Sequence, residues 1–196
     1  QVDAFTDKLF AGNPAAVCPL DQWLPEEVMQ KLGMENNLAE TAFFVKVDDG
    51  VYHIRWFTPT VEVDLCGHAT LAAGYILFNE LDCKENLIRF QSRSGELKVS
   101  RGGDMITLDF PAVMPEPVEP PAGLSEALNV SSEKVFFGAW DYMVVLESQE
   151  AIEKLEPDFL TLSKVKGRGV IATAKGNEVD FVSRCLKKSW IPSKYS

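Results

Sequence analysis

The chain has 196 residues, 46% of them hydrophobic and 24% charged, a globular composition sufficient for one large domain or two small ones. Its net charge of −10, from 19 basic and 29 acidic side chains, argues against general nucleic-acid binding, which depends on neutralising phosphates. No apolar run approaches the length of a membrane span, so no membrane partner is expected.

The opening Gln1-Val2-Asp3-Ala4-Phe5 lacks the basic and apolar regions of a signal peptide, and without an initiating Met a few residues are expected to precede it. Ala15 to Cys18 reads as a short apolar strand after the turn Gly12-Asn13-Pro14. Pro25 opens a helix through about Lys31, with Glu26 and Glu27 in its first turn. Thr41 to Val47 is a strand, Asp48-Asp49-Gly50 supplies hairpin chemistry, and Val51 to Thr58 is the returning strand. In that strand Tyr52, Ile54 and Trp56 share one face, and His53, Arg55 and Phe57 the other.

Ala69 to Leu81 then reads as a helix with almost no polar face, which implies burial on all sides. A sheet curling around this central helix would bury it. Leu87 to Gln91, Glu96 to Ser100 and Met105 to Phe110 are further strands. Five prolines between Pro111 and Pro121 mark a domain boundary, giving a first domain over 1–112, a linker over 113–123 and a second domain over 124–196. The second domain carries a helix near Leu124 to Leu128, strands near Val135 to Phe137 and Tyr142 to Leu146, and a helix near Glu150 to Leu155. A hairpin, Gly169 to Ala174 and Glu178 to Ser183, follows, and after Cys185 no period is sustained.

Leu65-Cys66-Gly67-His68-Ala69-Thr70 carries the most chemical information, because it brings a thiol, a glycine and an imidazole to a helix N-terminus. Backbone N–H groups and the positive end of the helix dipole favour an anion there, such as a substrate carboxylate. Cys66 reads either as a thiol activated by the helix end or as a small buried apolar side chain. His68 reads either as a proton shuttle or hydrogen-bond donor, or as a cap or core contact. Glu40, before an apolar strand and among small or apolar neighbours, is a candidate general acid/base, since burial would disfavour its charged form; an exposed carboxylate at a strand start is the alternative.

Other chemistry-bearing residues read as structural. Cys18 lies in a strand, Cys83 follows a helix end, and the four cysteines, with Cys185, contain no CxxC pair. That spacing suits neither a zinc site nor a small disulfide framework, and reduced thiols imply a cytoplasmic protein. With only His53 and His68 present, a His-rich metal site is excluded. Asp64 caps a turn, Lys164 to Arg168 is a solvated basic loop, and neither GxGxxG nor a Walker A pattern occurs.

Five blocks in order resemble the phenazine-biosynthesis (PhzF-like) isomerase family of the diaminopimelate epimerase-like α+β fold. They are Val2 to Thr6, Phe10 to Val17, Asn37 to Phe43, Trp56 to Pro59 and Cys66 to Thr70, spread over about residues 1 to 110. Weaker similarity continues to Asp180-Phe181-Val182-Ser183-Arg184. The resemblance implies two pseudo-equivalent halves, each a half-barrel sheet around a central helix, with the active site between them. It implies proton movement on a small carboxylate substrate without metal or organic cofactor, and a homodimer. Glu40 would be the catalytic acid/base, and Cys66, Gly67, His68, Ala69 and Thr70 would line the substrate site. In the related epimerases a cysteine precedes the matching glycine, so a thiol-dependent racemase using Cys66 is a second reading. Past Cys185 the resemblance ends: Lys187-Lys188-Ser189-Trp190 stands where the family continues with an Asp-containing block and a second central helix. The second half is therefore expected to be incomplete, and an inactive binding or dimerisation module is a third reading.

Overall fold

The computed structural model describes residues 1–187 apart from 9, 132, 133 and 139. The chain divides after Pro111 into two compact units. The first unit runs β1 (Val2–Ala4), β2 (Asn13–Leu20), α1 (Glu26–Asn36), β3 (Glu40–Asp48), β4 (Val51–Phe57) and β5 (Glu62–Val63). It continues with α2 (Gly67–Asn79), β6 (Leu87–Ser92), β7 (Gly95–Gly102) and β8 (Met105–Asp109). The strands form one sheet in the order β1-β2-β3-β4-β6-β7-β8, with β5 added against β4.

Two pairings in this sheet are parallel, β2 with β3 and β4 with β6. Parallel neighbours need a crossover, which α1 supplies for the first pair and α2 for the second. α2 packs against β1, β2 and β3 on one side and β7 and β8 on the other, so the sheet curls around it.

The alternation in β4 sorts side chains into two cores. Tyr52, Ile54 and Trp56 join Ala69, Ala72, Ala73 and Leu77 of α2. Phe57, on the opposite face, packs with Phe43 and Met29 of α1. The small residues of α2 let backbone approach sheet, and Gly74 lies directly against Val99. The expectation that α2 is buried on all sides is corrected: Tyr75 is 43% exposed and Asn79 is exposed. An open sheet leaves one stripe of a central helix uncovered. α2 also begins two residues earlier than expected, at Gly67. α1 runs on to Asn36 and stops where Asn37 takes a left-handed φ of 50°, a conformation asparagine tolerates.

The second unit contains β9 (Glu116–Pro117), α3 (Leu124–Leu128), β10 (Val135–Gly138), β11 (Asp141–Val145), α4 (Gln149–Glu153), α5 (Phe159–Leu162), β12 (Gly169–Lys175) and β13 (Phe181–Lys187). Its sheet has the order β13-β12-β11-β10-β9, with β11 and β12 parallel and joined through α4 and α5. Leu124, Leu128, Leu162, Val144 and Val170 centre its core. Within the proline-rich stretch, Glu116–Pro117 pairs with Phe136 and Phe137 as an edge strand, the position in a sheet that tolerates proline. The unpatterned tail after Lys187 lies outside the described residues. Among the described residues no helix is long and apolar enough to cross a membrane.

Candidate active site

Glu40 is the first residue of β3, set opposite Ala15 of β2 by the parallel register. The approach to it is fixed from α1, where the Asn36 side-chain amide donates to Thr41 Oγ1 at 3.1 Å. Cys66 is the N-cap of α2, in extended conformation with φ −145°, and its side chain makes no capping hydrogen bond. Its carbonyl instead accepts from Thr70 Oγ1 at 2.5 Å and from the Thr70 amide at 3.3 Å.

The curl of the sheet brings Glu40 and the start of α2 together. His68 Nε2 lies 3.4 Å from Glu40 Oε2, and His68 Nδ1 lies 3.5 Å from Cys66 Sγ. Glu40, Cys66 and His68 are 7%, 7% and 9% exposed, so these contacts are shielded from bulk water. Low local dielectric strengthens such a chain and raises the cost of leaving any member unsatisfied.

Of the six residues expected at the site, three meet there. Gly67 lies beside them under an aromatic ring: a β-carbon on it would stand 2.8 Å from Phe110 Cζ. The side chains of Ala69 and Thr70 are fully buried. Ala69 belongs to the core around α2 and the Thr70 hydroxyl closes the helix turn, so neither side chain lines an open surface. His53 is exposed on β4, opposite Val45, and lies outside this group. Cys83 sits at the other end of α2, where its amide donates to Leu77 O. Its sulfur is 4.0 Å from the Tyr52 hydroxyl, beside a cleft of about 410 Å³ lined by Asp49, Tyr52, Leu77 and Cys83. Cys185 is exposed in the second unit and in no disulfide. The Lys164 to Arg168 segment is not wholly solvated: Val165 is buried and Arg168 pairs with Asp141. Asp64 is exposed, 3.8 Å from Arg93.

Glu40, Cys66 and His68 each offer one metal-ligand atom, all within 4.8 Å of one another. Carboxylate, thiolate and imidazole together suit a borderline-soft ion such as zinc. An imidazole gives a single ion one nitrogen, whereas here Cys66 faces Nδ1 and Glu40 faces Nε2. As it stands the trio is therefore arranged around both ring nitrogens, with a hydrogen bond at Nδ1 and an electrostatic approach at Nε2, rather than as three donors converging on a point.

Sequence reasoning overlooked two features, one beside this centre and one elsewhere in the first unit. Phe110, the residue after β8, covers Gly67; only its place before Pro111 hinted at anything unusual. Arg55 donates from Nε and Nη2 to the two Glu62 carboxylate oxygens, both at 2.7 Å, while Arg93 reaches Glu62 at 2.8 Å. These partners are separated in sequence and carry no shared motif.

A curved sheet wrapped around a helix, with an acid, an imidazole and a thiol at that helix's N-terminus, defines a diaminopimelate epimerase-like α+β fold. Residues 2–187 match the family described as phenazine biosynthesis-like protein, and the chain belongs to that family. A Pseudomonas aeruginosa protein named an uncharacterized isomerase is 53% identical, the match covering 94% of this chain and 70% of the relative. A Halalkalibacterium halodurans protein, likewise named an uncharacterized isomerase, is 44% identical over 94% of this chain and 71% of its own length. The crystal structure of a phenazine biosynthesis protein of the PhzF family from Enterococcus faecalis superposes with a TM-score of 0.88 at 45% identity, covering 95% of this chain and 71% of that one. A probable proline racemase from Agrobacterium radiobacter shares the fold alone, at 6% identity and a TM-score of 0.55 over 88% of this chain and 68% of that one.

Proposed function

We propose that this chain is a cofactor-independent isomerase that moves a proton on a small carboxylate substrate. Glu40 is the general acid/base. Its ionised carboxylate takes a proton from a carbon next to the substrate carboxylate, leaving the electron pair delocalised into that group. The same carboxyl then returns the proton to another position or face. The substrate carboxylate is held by backbone N–H groups near Gly67 and His68, at the positive end of α2. Donors aimed at the developing negative charge lower the barrier most where water is excluded.

The observation that carries this reading is the 3.4 Å approach of His68 Nε2 to Glu40 Oε2 at a buried helix N-terminus. The family relatives named isomerases add support from outside the geometry. Deuterium wash-in from D2O to a panel of amino and enol acids tests it. Glu40→Gln should retain the fold and lose exchange by about 100-fold or more, the usual scale of general acid–base catalysis. Undiminished exchange in that variant removes Glu40 from the mechanism.

A second reading, a thiol-dependent racemase, is favoured by one contact, the 3.5 Å approach of Cys66 Sγ to an imidazole nitrogen. An adjacent base is what activates a thiol. On that reading Glu40→Gln should keep its activity and Cys66→Ala should abolish it, whereas the first reading expects Glu40→Gln to abolish exchange.

A further inference from the structure

We infer that Cys66 is a positioning residue, whose thiol holds His68 in the tautomer that presents an Nε2–H to Glu40. The inference rests on Glu40 acting as a general base, and it follows from the inventory of protons. A carboxylate ready to take a proton is ionised, and an ionised carboxylate only accepts hydrogen bonds. His68 Nε2 stands 3.4 Å from Glu40 Oε2, an electrostatic approach rather than a formed hydrogen bond; a bare lone pair there would face the carboxylate's negative charge, so Nε2 is the nitrogen that carries hydrogen. In a neutral imidazole the other nitrogen is bare and accepts. At Nδ1 the structure places Cys66 Sγ, at 3.5 Å, within the reach of an S–H donor. The order of protons is thus S–H to Nδ1, with the Nε2–H turned toward Oε2. A weak donor suffices because the site is buried, where electrostatic interactions are strengthened.

The thiol neither touches substrate nor changes its own protonation during the reaction.

The test is 15N NMR of the full chain labelled at its two histidines. Exposed His53 serves as the reference signal for a retained fold. Near neutral pH the His68 signals should show bare Nδ1 and protonated Nε2. Cys66→Ala should move the ratio of the two tautomers about fivefold toward Nδ1–H, the effect of losing one modest hydrogen bond. Cys66→Ser, which supplies an O–H donor, should restore the wild-type ratio. A wild-type His68 that is imidazolium or Nδ1–H overturns the inference, as does an unchanged ratio in Cys66→Ala. If Cys66→Ala does not fold, the wild-type and Cys66→Ser spectra decide by the same criteria. None of these readouts needs turnover, whereas failure of the general-base reading appears separately as undiminished exchange in Glu40→Gln.

Discussion

A β-carbon on Gly74 of α2 would stand 2.6 Å from Cγ1 of Val99 on β7. Val99 is fully buried mid-strand, so it has nowhere to retreat. Gly74→Ala gains up to about 1 kcal/mol in helix propensity but incurs overpacking of about 1–3 kcal/mol. Net destabilisation of about 1 kcal/mol is expected, seen as a fall in Tm of roughly 2–4 °C. Val99→Ala should compensate in the double variant, and a raised Tm in Gly74→Ala alone would show that the sheet yields.

Gly67 meets a softer neighbour. Phe110 is 38% exposed, so its ring can swing away from a new β-carbon. Gly67→Ala should therefore lower stability by less than about 1 kcal/mol. Combining it with Phe110→Ala should abolish that increment, a coupling measurable in a double-mutant cycle. Strict additivity would mean that the ring and the glycine do not interact in solution.

The Arg55–Glu62–Arg93 cluster predicts unequal effects from two arginines. The Glu62 side chain is 9% exposed, that of Arg55 22%, and that of Arg93 55%. Removing Arg55 leaves a shielded carboxylate without its two-pronged partner and strips a cation from above the Trp23 and Phe57 rings. Arg55→Ala should cost about 2–3 kcal/mol, below the range for fully buried pairs. Arg93→Ala should cost about 0–1 kcal/mol, as exposed pairs do. Chemical denaturation measures both, and equal losses would refute the ranking.

Tyr52 predicts an alkaline transition. Burial first, and then proximity to the Cys83 sulfur, push its hydroxyl from the ordinary 10 up to about 12. Between those values the folded chain keeps a proton that the unfolded chain releases, so stability falls as pH rises. The contribution is intact below pH 10 and is lost as pH climbs toward 12. Tyrosinate absorbance should show one late-titrating group that is missing in Tyr52→Phe, and that variant should lose less stability across the same interval.

Some of this architecture was open to inspection in the residues alone. The alternation of Tyr52, Ile54 and Trp56 marked β4 because a half-buried strand leaves a period of two. Leu124–Leu128 was read as a helix with the same ends that the structure gives it. Asn37, which ends α1, was overlooked because a left-handed stop by asparagine differs little from its ordinary use in loops. β1 and β5 span three and two residues, too short for any period to register. The candidate site was legible as two separate segments, around Glu40 and around Cys66-Gly67-His68. Their meeting was legible only through the family resemblance, because it depends on the parallel registers of β2 with β3 and β4 with β6, which no local pattern encodes. The burial of Thr70 was likewise hidden: whether a hydroxyl faces substrate or its own helix is settled by the turn that it closes.

The parallel pairing of β4 with β6 carries a kinetic implication. Those strands join only after the intervening helix has folded back over the sheet, so His68 cannot reach Glu40 while the crossover is open. Contacts of such sequence separation form slowly and together, because loop closure precedes any gain from pairing. Assembly of the Glu40–His68 pair and burial of α2 are then one cooperative event. Amide hydrogens in the middle of α2 should exchange only when the whole first unit opens.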